Sequence, residues 1–205
     1  DVSGTGVGVV NADAILGPER VCPGDVLIAM GSSGLHANGY SLVRHVLENA
    51  ALPLDATPPE CDGRTMADEL LVPTRIYALD CLALAREVGV HAFAHVTGGG
   101  LSGNLARVLP PDVTAVVHRD SWAPQPIFGL LARAGDIARQ DLELTFNLGV
   151  GMLAVVPPER AENALALLAA RDVAAWRCGE VTAAEPGATS VRLAGDYRGE
   201  ATTWR

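Results

Sequence analysis

Two glycine-rich loops with polar side chains constrain this chain more than any other feature. The first loop covers residues 31–40 (Gly-Ser-Ser-Gly-Leu-His-Ala-Asn-Gly-Tyr), and the second covers residues 95–100 (His-Val-Thr-Gly-Gly-Gly). Each follows a short apolar run typical of a strand and precedes a segment with helical spacing. A strand, a glycine loop and a helix in this order direct backbone N–H groups toward a common guest. The natural guest is an anion such as phosphate.

The apolar runs predict the fold class. The run 26–30 (Val-Leu-Ile-Ala-Met) is continuous, which is typical of a strand buried on both faces. Strands and helices are mixed without regular alternation, so we expect an α+β fold: a layered α/β sandwich with a mixed sheet covered by helices. The other expected strands are 7–10, 92–97, 113–118, 144–156, 175–181 and 191–194. The expected helices are 42–50, 73–89, 104–109, 127–134 and 158–170, and we expect the polar tail 195–205 to be loose.

Composition excludes several classes of function. A net charge of −9 argues against a nucleic-acid partner, because phosphate backbones require a basic face. No apolar run reaches the ~18 residues of a membrane span. All 15 basic residues are arginine, which excludes a lysine nucleophile and a phosphate-loop lysine. The four cysteines show no paired spacing, which favours a reduced, cytoplasmic setting without a metal site on this chain.

The first loop contains several candidate ligands for an anion. Glycine permits close backbone approach and positive φ, and the loop adds hydroxyl groups, an amide and a titratable ring. The candidates are Ser32, Ser33, Gly34, His36, Asn38 and Gly39. The alternative is an ordinary turn from a strand to a helix.

The second loop offers a similar set. Thr97 can donate a hydrogen bond to an anion, and His95 shares its face on an extended strand. The three glycines Gly98, Gly99 and Gly100 cost backbone entropy, which is tolerated where close approach is needed. The alternative for His95 is a core histidine bonded to a carbonyl group.

Two further residues are candidates for binding. Arg75 could neutralise a phosphate, although a solvated surface position is the alternative. Asn147 lies in the run 146–151 (Phe-Asn-Leu-Gly-Val-Gly), where a buried amide is costly unless it has a partner. Asn147 therefore either binds a ligand or stabilises a bulge in the strand.

Five sequence blocks together resemble one known family. They are 31–42, 73–77, 94–100, 107–110 and 146–152. In this order they resemble the C-terminal domain of aminoimidazole ribonucleotide synthetase (phosphoribosylformylglycinamidine cyclo-ligase). The likeness extends from 8–10 to 179–181. No single block is decisive.

The resemblance implies a role in de novo purine biosynthesis. Residues 1–205 would form the C-terminal, substrate-binding domain, and the N-terminal domain, which binds most of the ATP and Mg²⁺ and forms the homodimer, would be absent from the chain. The substrate would be formylglycinamidine ribonucleotide. Its formyl oxygen becomes a phosphate ester at the expense of ATP, and the amidine nitrogen closes the ring to 5-aminoimidazole ribonucleotide with release of ADP and phosphate. His36 and His95 would be catalytic, and the isolated chain would show little turnover.

Two other functions stay open. One is another ATP-dependent enzyme of the same fold group, such as formylglycinamide ribonucleotide amidotransferase, selenophosphate synthetase or thiamine phosphate kinase. The other is a non-catalytic ligand-binding module that uses the glycine loops for docking. The roles of the two histidines, in proton transfer or in holding the substrate, are also open.

Overall fold

A mixed sheet lies at the centre of the molecule. The computed structural model describes residues 4–185, 187–188, 190–199, 201 and 204. Across the sheet the strand order is β2-β4-β1-β5-β3-β6, and every neighbouring pair is antiparallel except β3 and β6, which are parallel. In these residues the strands are β1 (Val26–Gly31), β2 (Ala92–His95), β3 (Val113–His118), β4 (Val150–Val156), β5 (Ala175–Ala183) and β6 (Val191–Ala194).

Helices cover both faces of the sheet. Within the described residues they are α1 (Tyr40–Asn49), α2 (Met66–Leu70), α3 (Ala78–Glu87), α4 (Gly100–Ala106), α5 (Pro126–Gly135), α6 (Arg139–Thr145) and α7 (Ala161–Ala169). Helices α1, α4, α5 and α6 pack with Leu27 and Ala29 of β1 on one face. Helices α3 and α7 pack with Val26, Ile28 and Met30 on the other. The expected α+β layered sandwich is confirmed.

Strand β1 shows why this arrangement forms. All five of its apolar side chains are at most 1% exposed, and they alternate between the two cores. Each large side chain buried in this way contributes about 1.5–3 kcal/mol. The continuous apolar run therefore specifies a central strand with a helical layer on each side.

Two expected elements at the N-terminal side are wrong. Residues 7–10 form no strand, and Val7 and Val9 are almost fully exposed, because no strand among the described residues pairs with them. Residues 73–77 are not helical, and α3 begins at Ala78. The Pro73 carbonyl instead accepts a hydrogen bond from Ser33 Oγ at 2.7 Å, which holds this segment against the first loop.

Three other boundaries also differ. The expected strand 144–156 begins only at Val150, because residues 139–145 form α6. The helix expected at 104–109 begins at Gly100. The tail is not uniformly loose: Tyr197 is 3% exposed because its ring packs on Trp122, with the centroids 5.1 Å apart.

Candidate functional site

The two glycine loops lie side by side. Asn38 Oδ1 in the first loop is 3.8 Å from the point that a Cβ on Gly98 of the second loop would occupy. The first loop follows β1 and the second follows β2, and only β4 separates these strands in the sheet. The sheet therefore brings together the two stretches that the sequence places some sixty residues apart.

The first loop is held by side chains that are distant in sequence. The buried amide of Asn147 donates from Nδ2 to the carbonyls of Gly34 (2.9 Å) and Leu35 (3.1 Å), and its Oδ1 accepts from the Gly149 amide at 2.8 Å. Gln125 Nε2 donates to the Ser32 carbonyl at 2.9 Å and to Ser32 Oγ at 3.1 Å. These bonds hold the backbone of the loop in place through residues that follow it by about one hundred positions.

The second loop is held by a nearby residue. Asn104 lies on the first turns of α4 and is 5% exposed. Its Nδ2 donates to the carbonyls of Thr97 (3.2 Å), Gly98 (3.3 Å) and Gly100 (2.7 Å). Its Oδ1 accepts from Thr97 Oγ1 at 3.1 Å. One side chain thus shapes the whole loop.

Helix α6 supports both loops from behind. A Cβ on Gly39 would lie 2.7 Å from Phe146 Cδ1, directly after α6. A Cβ on Gly100 would overlap the carbonyl oxygen of Glu143 within α6. Both glycines also have positive φ, 82° and 65°. Glycine is required at these two positions by close packing as well as by backbone conformation.

Tyr77 lies close to both candidate histidines. Its ring centroid is 6.1 Å from that of His36 and 6.3 Å from that of His95. Its hydroxyl donates to the Gly31 carbonyl at 2.7 Å. Gly151 makes room for this arrangement, because a Cβ there would overlap Tyr77 Oη and lie 2.6 Å from His36 Cε1.

The two histidines have different surroundings. His36 is 4% exposed, and its Nε2 accepts a hydrogen bond from the Ser33 amide at 3.1 Å. Burial lowers the pKa of His36, and the nearby His95 lowers it further. His95 is exposed at the end of β2. Burial also raises the pKa of the Tyr77 hydroxyl, so this group stays protonated.

The other expected ligands differ in their exposure and in their hydrogen-bond partners. Gly98 and Gly99 are exposed, and their amides make no hydrogen bond within the described part of the chain. Ser33 is exposed as well, although its hydroxyl donates to Pro73. Arg75 is half-buried and donates from Nη2 to the Asp172 carbonyl at 3.2 Å. On this chain the candidate site is therefore an open surface and not an enclosed pocket.

Three positioning residues escape the sequence analysis. They are Tyr77, Asn104 and Gln125. Asn104 was only the expected start of a helix. A side-chain amide four residues after a glycine triplet indicates only weakly that its side chain holds the loop. Tyr77 was part of a matching block without a role of its own. Nothing in the sequence pairs Gln125 with Ser32, because 93 positions separate them.

The described residues lack two kinds of feature. Their helices include none with both the length and the apolar character needed to cross a bilayer. Among the same residues, no three histidine, cysteine, aspartate or glutamate side chains come together as metal ligands. The described residues thus hold no ready-made cluster of protein ligands for Mg²⁺, and we assign no step on this chain to a metal ion.

Comparison with known sequences gives consistent matches. The family model described as "AIR synthase related protein, C-terminal domain" matches residues 22–191. A Streptomyces fradiae protein, provisionally named a phosphoribosylformylglycinamidine cyclo-ligase, is 60% identical over 178 residues, which cover 85% of this chain and 97% of that protein. The phosphoribosylformylglycinamidine cyclo-ligase of Symbiobacterium thermophilum is 48% identical over 196 residues, and that of Myxococcus xanthus is 47% identical over 192. The chain spans 55% of the length of each of these two relatives.

Solved structures show the same fold at low identity. Thiamine-monophosphate kinase from Stenotrophomonas maltophilia has a TM-score of 0.61 at 19% identity, covering 90% of this chain and 54% of that one. PurL from Thermotoga maritima, complexed with FGAR, has a TM-score of 0.53 at 20% identity, covering 93% and 28%. Because the family model matches most of the chain and the named relatives are 47–60% identical, this chain belongs to the AIR synthase related proteins and contains their C-terminal domain.

Proposed function

We propose that this chain is the substrate-binding half of a phosphoribosylformylglycinamidine cyclo-ligase, which closes the imidazole ring of 5-aminoimidazole ribonucleotide in de novo purine biosynthesis. The observation that carries the proposal is the adjacency of the two glycine loops, with Asn38 of one against Gly98 of the other. The names of the Symbiobacterium and Myxococcus relatives supply the reaction.

The geometry suits a phosphorylated substrate. The free amides of Gly98 and Gly99 are donors of the kind that bind phosphate oxygens. They lie at an exposed edge, and exposed His95 lies on the strand that leads into the same loop. We keep as further candidates for binding Ser32, Ser33, Gly34, Asn38, Gly39, Thr97, Gly100 and Arg75. Asn147 contributes by holding the first loop, since its amide already has three partners.

The candidate site is open on this chain, so a second domain would have to enclose the substrate. Three exposed apolar side chains form a stripe here: Ile76, just before α3, and Leu79 and Leu82 on α3 are 82%, 70% and 43% exposed. This stripe begins at the residue before Tyr77. We propose that it contacts the N-terminal domain that accounts for the additional length of the two relatives. That domain would bind most of the ATP and Mg²⁺.

The assembly and location follow as parts of the same proposal. We expect a homodimer formed through the N-terminal domain. A cytoplasmic location fits four cysteines that are all free thiols. The net charge of −9 continues to argue against a nucleic-acid partner.

The test compares this chain alone with a chimera that carries the N-terminal part of the Symbiobacterium relative. Both are assayed for 5-aminoimidazole ribonucleotide and ADP with formylglycinamidine ribonucleotide and ATP. We expect turnover by the chimera and little turnover by the chain. Full activity of the chain alone would refute its role as half of the enzyme.

The same proteins separate the alternatives. Turnover of formylglycinamide ribonucleotide with glutamine, of selenide or of thiamine monophosphate would favour another member of the fold group. Titration calorimetry with the ribonucleotide tests whether the chain is a non-catalytic binding module. That alternative gains support if the chain binds the ribonucleotide but the chimera converts none of these substrates. His36→Ala and His95→Ala should both reduce turnover by the chimera.

A further inference from the structure

We propose that the two histidines have different roles: His36 is a positioning residue whose neutral imidazole, protonated on Nδ1, fastens the first loop through the Ser33 amide, and His95 is the proton carrier. The identity of the reaction rests on the proposed function. The state and role of the His36 ring do not, and they can be measured on this chain by itself.

The direction of one hydrogen bond sets the tautomer. A backbone N–H can only donate, so His36 Nε2, 3.1 Å from the Ser33 nitrogen, must accept with its lone pair. A neutral imidazole has one N–H group, which therefore lies on Nδ1. A protonated ring would have hydrogen atoms on both nitrogens and could not accept from Ser33. The bond and a charged His36 exclude each other.

The surroundings of His36 also disfavour proton exchange. Its Nδ1 is buried and has no hydrogen-bond partner in the described part of the chain. The titratable groups nearby are His95 on β2 and Tyr77 before α3, and the Tyr77 hydroxyl already donates to Gly31. Glu69, the carboxylate near Gly34, pairs with Arg64. A proton on Nε2 would break the contact with the Ser33 amide.

His95 has the opposite properties. It is exposed, and its ring makes no hydrogen bond with any described residue. It can therefore exchange a proton with solvent or substrate without breaking a contact within the chain. The Tyr77 ring lies near both histidines, with its centroid 6.1 Å from that of His36 and 6.3 Å from that of His95. The pair thus consists of one fixed ring and one free ring.

Two substitutions at position 36 test the loop contact. In His36→Gln the amide oxygen reaches about as far as Nε2, so it can accept from Ser33 but cannot titrate. In His36→Asn the shorter side chain reaches only as far as Nδ1, although asparagine tolerates the left-handed φ of 61° well. We expect hydrogen exchange of the Ser33 amide to stay slow in His36→Gln and to become at least about tenfold faster in His36→Asn, which is the loss of about 1.4 kcal/mol of protection.

Nitrogen-15 NMR of histidine-labelled wild-type chain tests the tautomer without any variant. We expect His36 to be neutral and protonated on Nδ1. An Nε2-protonated ring, or a His36 that charges at or above about pH 6.5, the value of an unperturbed histidine, would overturn the proposal.

Activity of the chimera tests the division of roles. We expect His36→Gln to keep kcat within about threefold, because the loop contact is preserved. His95→Gln should lower kcat by about 10²–10⁴-fold, as loss of an acid or base does. Equal losses in the two variants would refute the assignment. A chimera that is inactive on the ribonucleotide, together with the expected NMR result, would refute the proposed function and leave the role of His36 intact.

Discussion

The two glycine loops look alike in sequence, but the chain stabilises them in different ways. The second loop is shaped by Asn104, a residue only four to seven positions away. The first loop is shaped by Asn147 and Gln125, which are about one hundred positions away. The hydrogen bonds that shape the second loop are therefore local, whereas those that shape the first loop require the assembled sheet. Similar motifs thus differ in how strongly they depend on tertiary structure.

The largest effect is expected for Gly100→Ala. The new Cβ would overlap the backbone carbonyl of Glu143, and the φ of Gly100 is 65°. Because the obstructing atom belongs to the backbone, it cannot move aside as a flexible side chain would. We expect a loss of about 2–5 kcal/mol in the free energy of unfolding from overpacking and strain. Urea denaturation measures it.

Gly98→Ala serves as the control for this change. Its Cβ would make only an ordinary contact, 3.8 Å from Asn38 Oδ1, so stability should change by less than about 0.5 kcal/mol. If the two variants are equally stable, the packing of α6 against the second loop is wrong.

The second prediction compares Asn147 and Asn104, the two asparagines whose side chains hold the loops. Asn147→Ala should cost about 2–3 kcal/mol, because it leaves two carbonyls and one amide without partners in a buried region. Asn104→Ala should cost less, about 1–2 kcal/mol. Asn104 holds the loop that leads into its own helix, and Gly98 of that loop is exposed, so water can replace part of the lost hydrogen bonding. Hydrogen exchange should accelerate around residues 31–39 and 149 in the first variant and around residues 97–103 in the second. Faster exchange in both loops in either variant would contradict their independent support.

A smaller effect is expected for Gln125→Ala. This change removes the donor to the Ser32 carbonyl and hydroxyl and should cost about 1 kcal/mol. Ribonucleotide binding should weaken with it if the first loop binds the substrate, as calorimetry would show. Gln125→Glu keeps the shape of the side chain but removes the amide donor, so a loss that appears in both variants identifies the hydrogen bonds as the cause.

The smallest effect concerns pH. The folded pKa of His36 is lowered by burial and by His95, so its contribution to stability is complete above the unfolded value of about 6.5 and is lost as the pH falls toward the folded value. We expect the free energy of unfolding to fall below pH 6.5 in the wild type and to fall less in His36→Gln. His45→Gln, at an exposed position on α1, is the matched control and should behave as the wild type.

The sequence predicted the sheet better than the site. The continuous apolar run 26–30 identifies β1, because burial on both faces of the sheet leaves no polar positions in it. Helix α6 was missed because its sequence is polar and only Leu142 is buried among its seven residues. Residues 7–10 were mistaken for a strand because their pattern is apolar, although a strand also needs a neighbour.

The amino-acid sequence by itself determined the two glycine loops, their candidate ligands and the central strand, because these depend on local composition and on burial. Only the tertiary structure decided that the loops meet, that α6 supports both, and that Tyr77 lies near both a fixed histidine and a free one. These relations join residues that are far apart in the chain. They arise from the strand order β2-β4-β1, which no local pattern specifies.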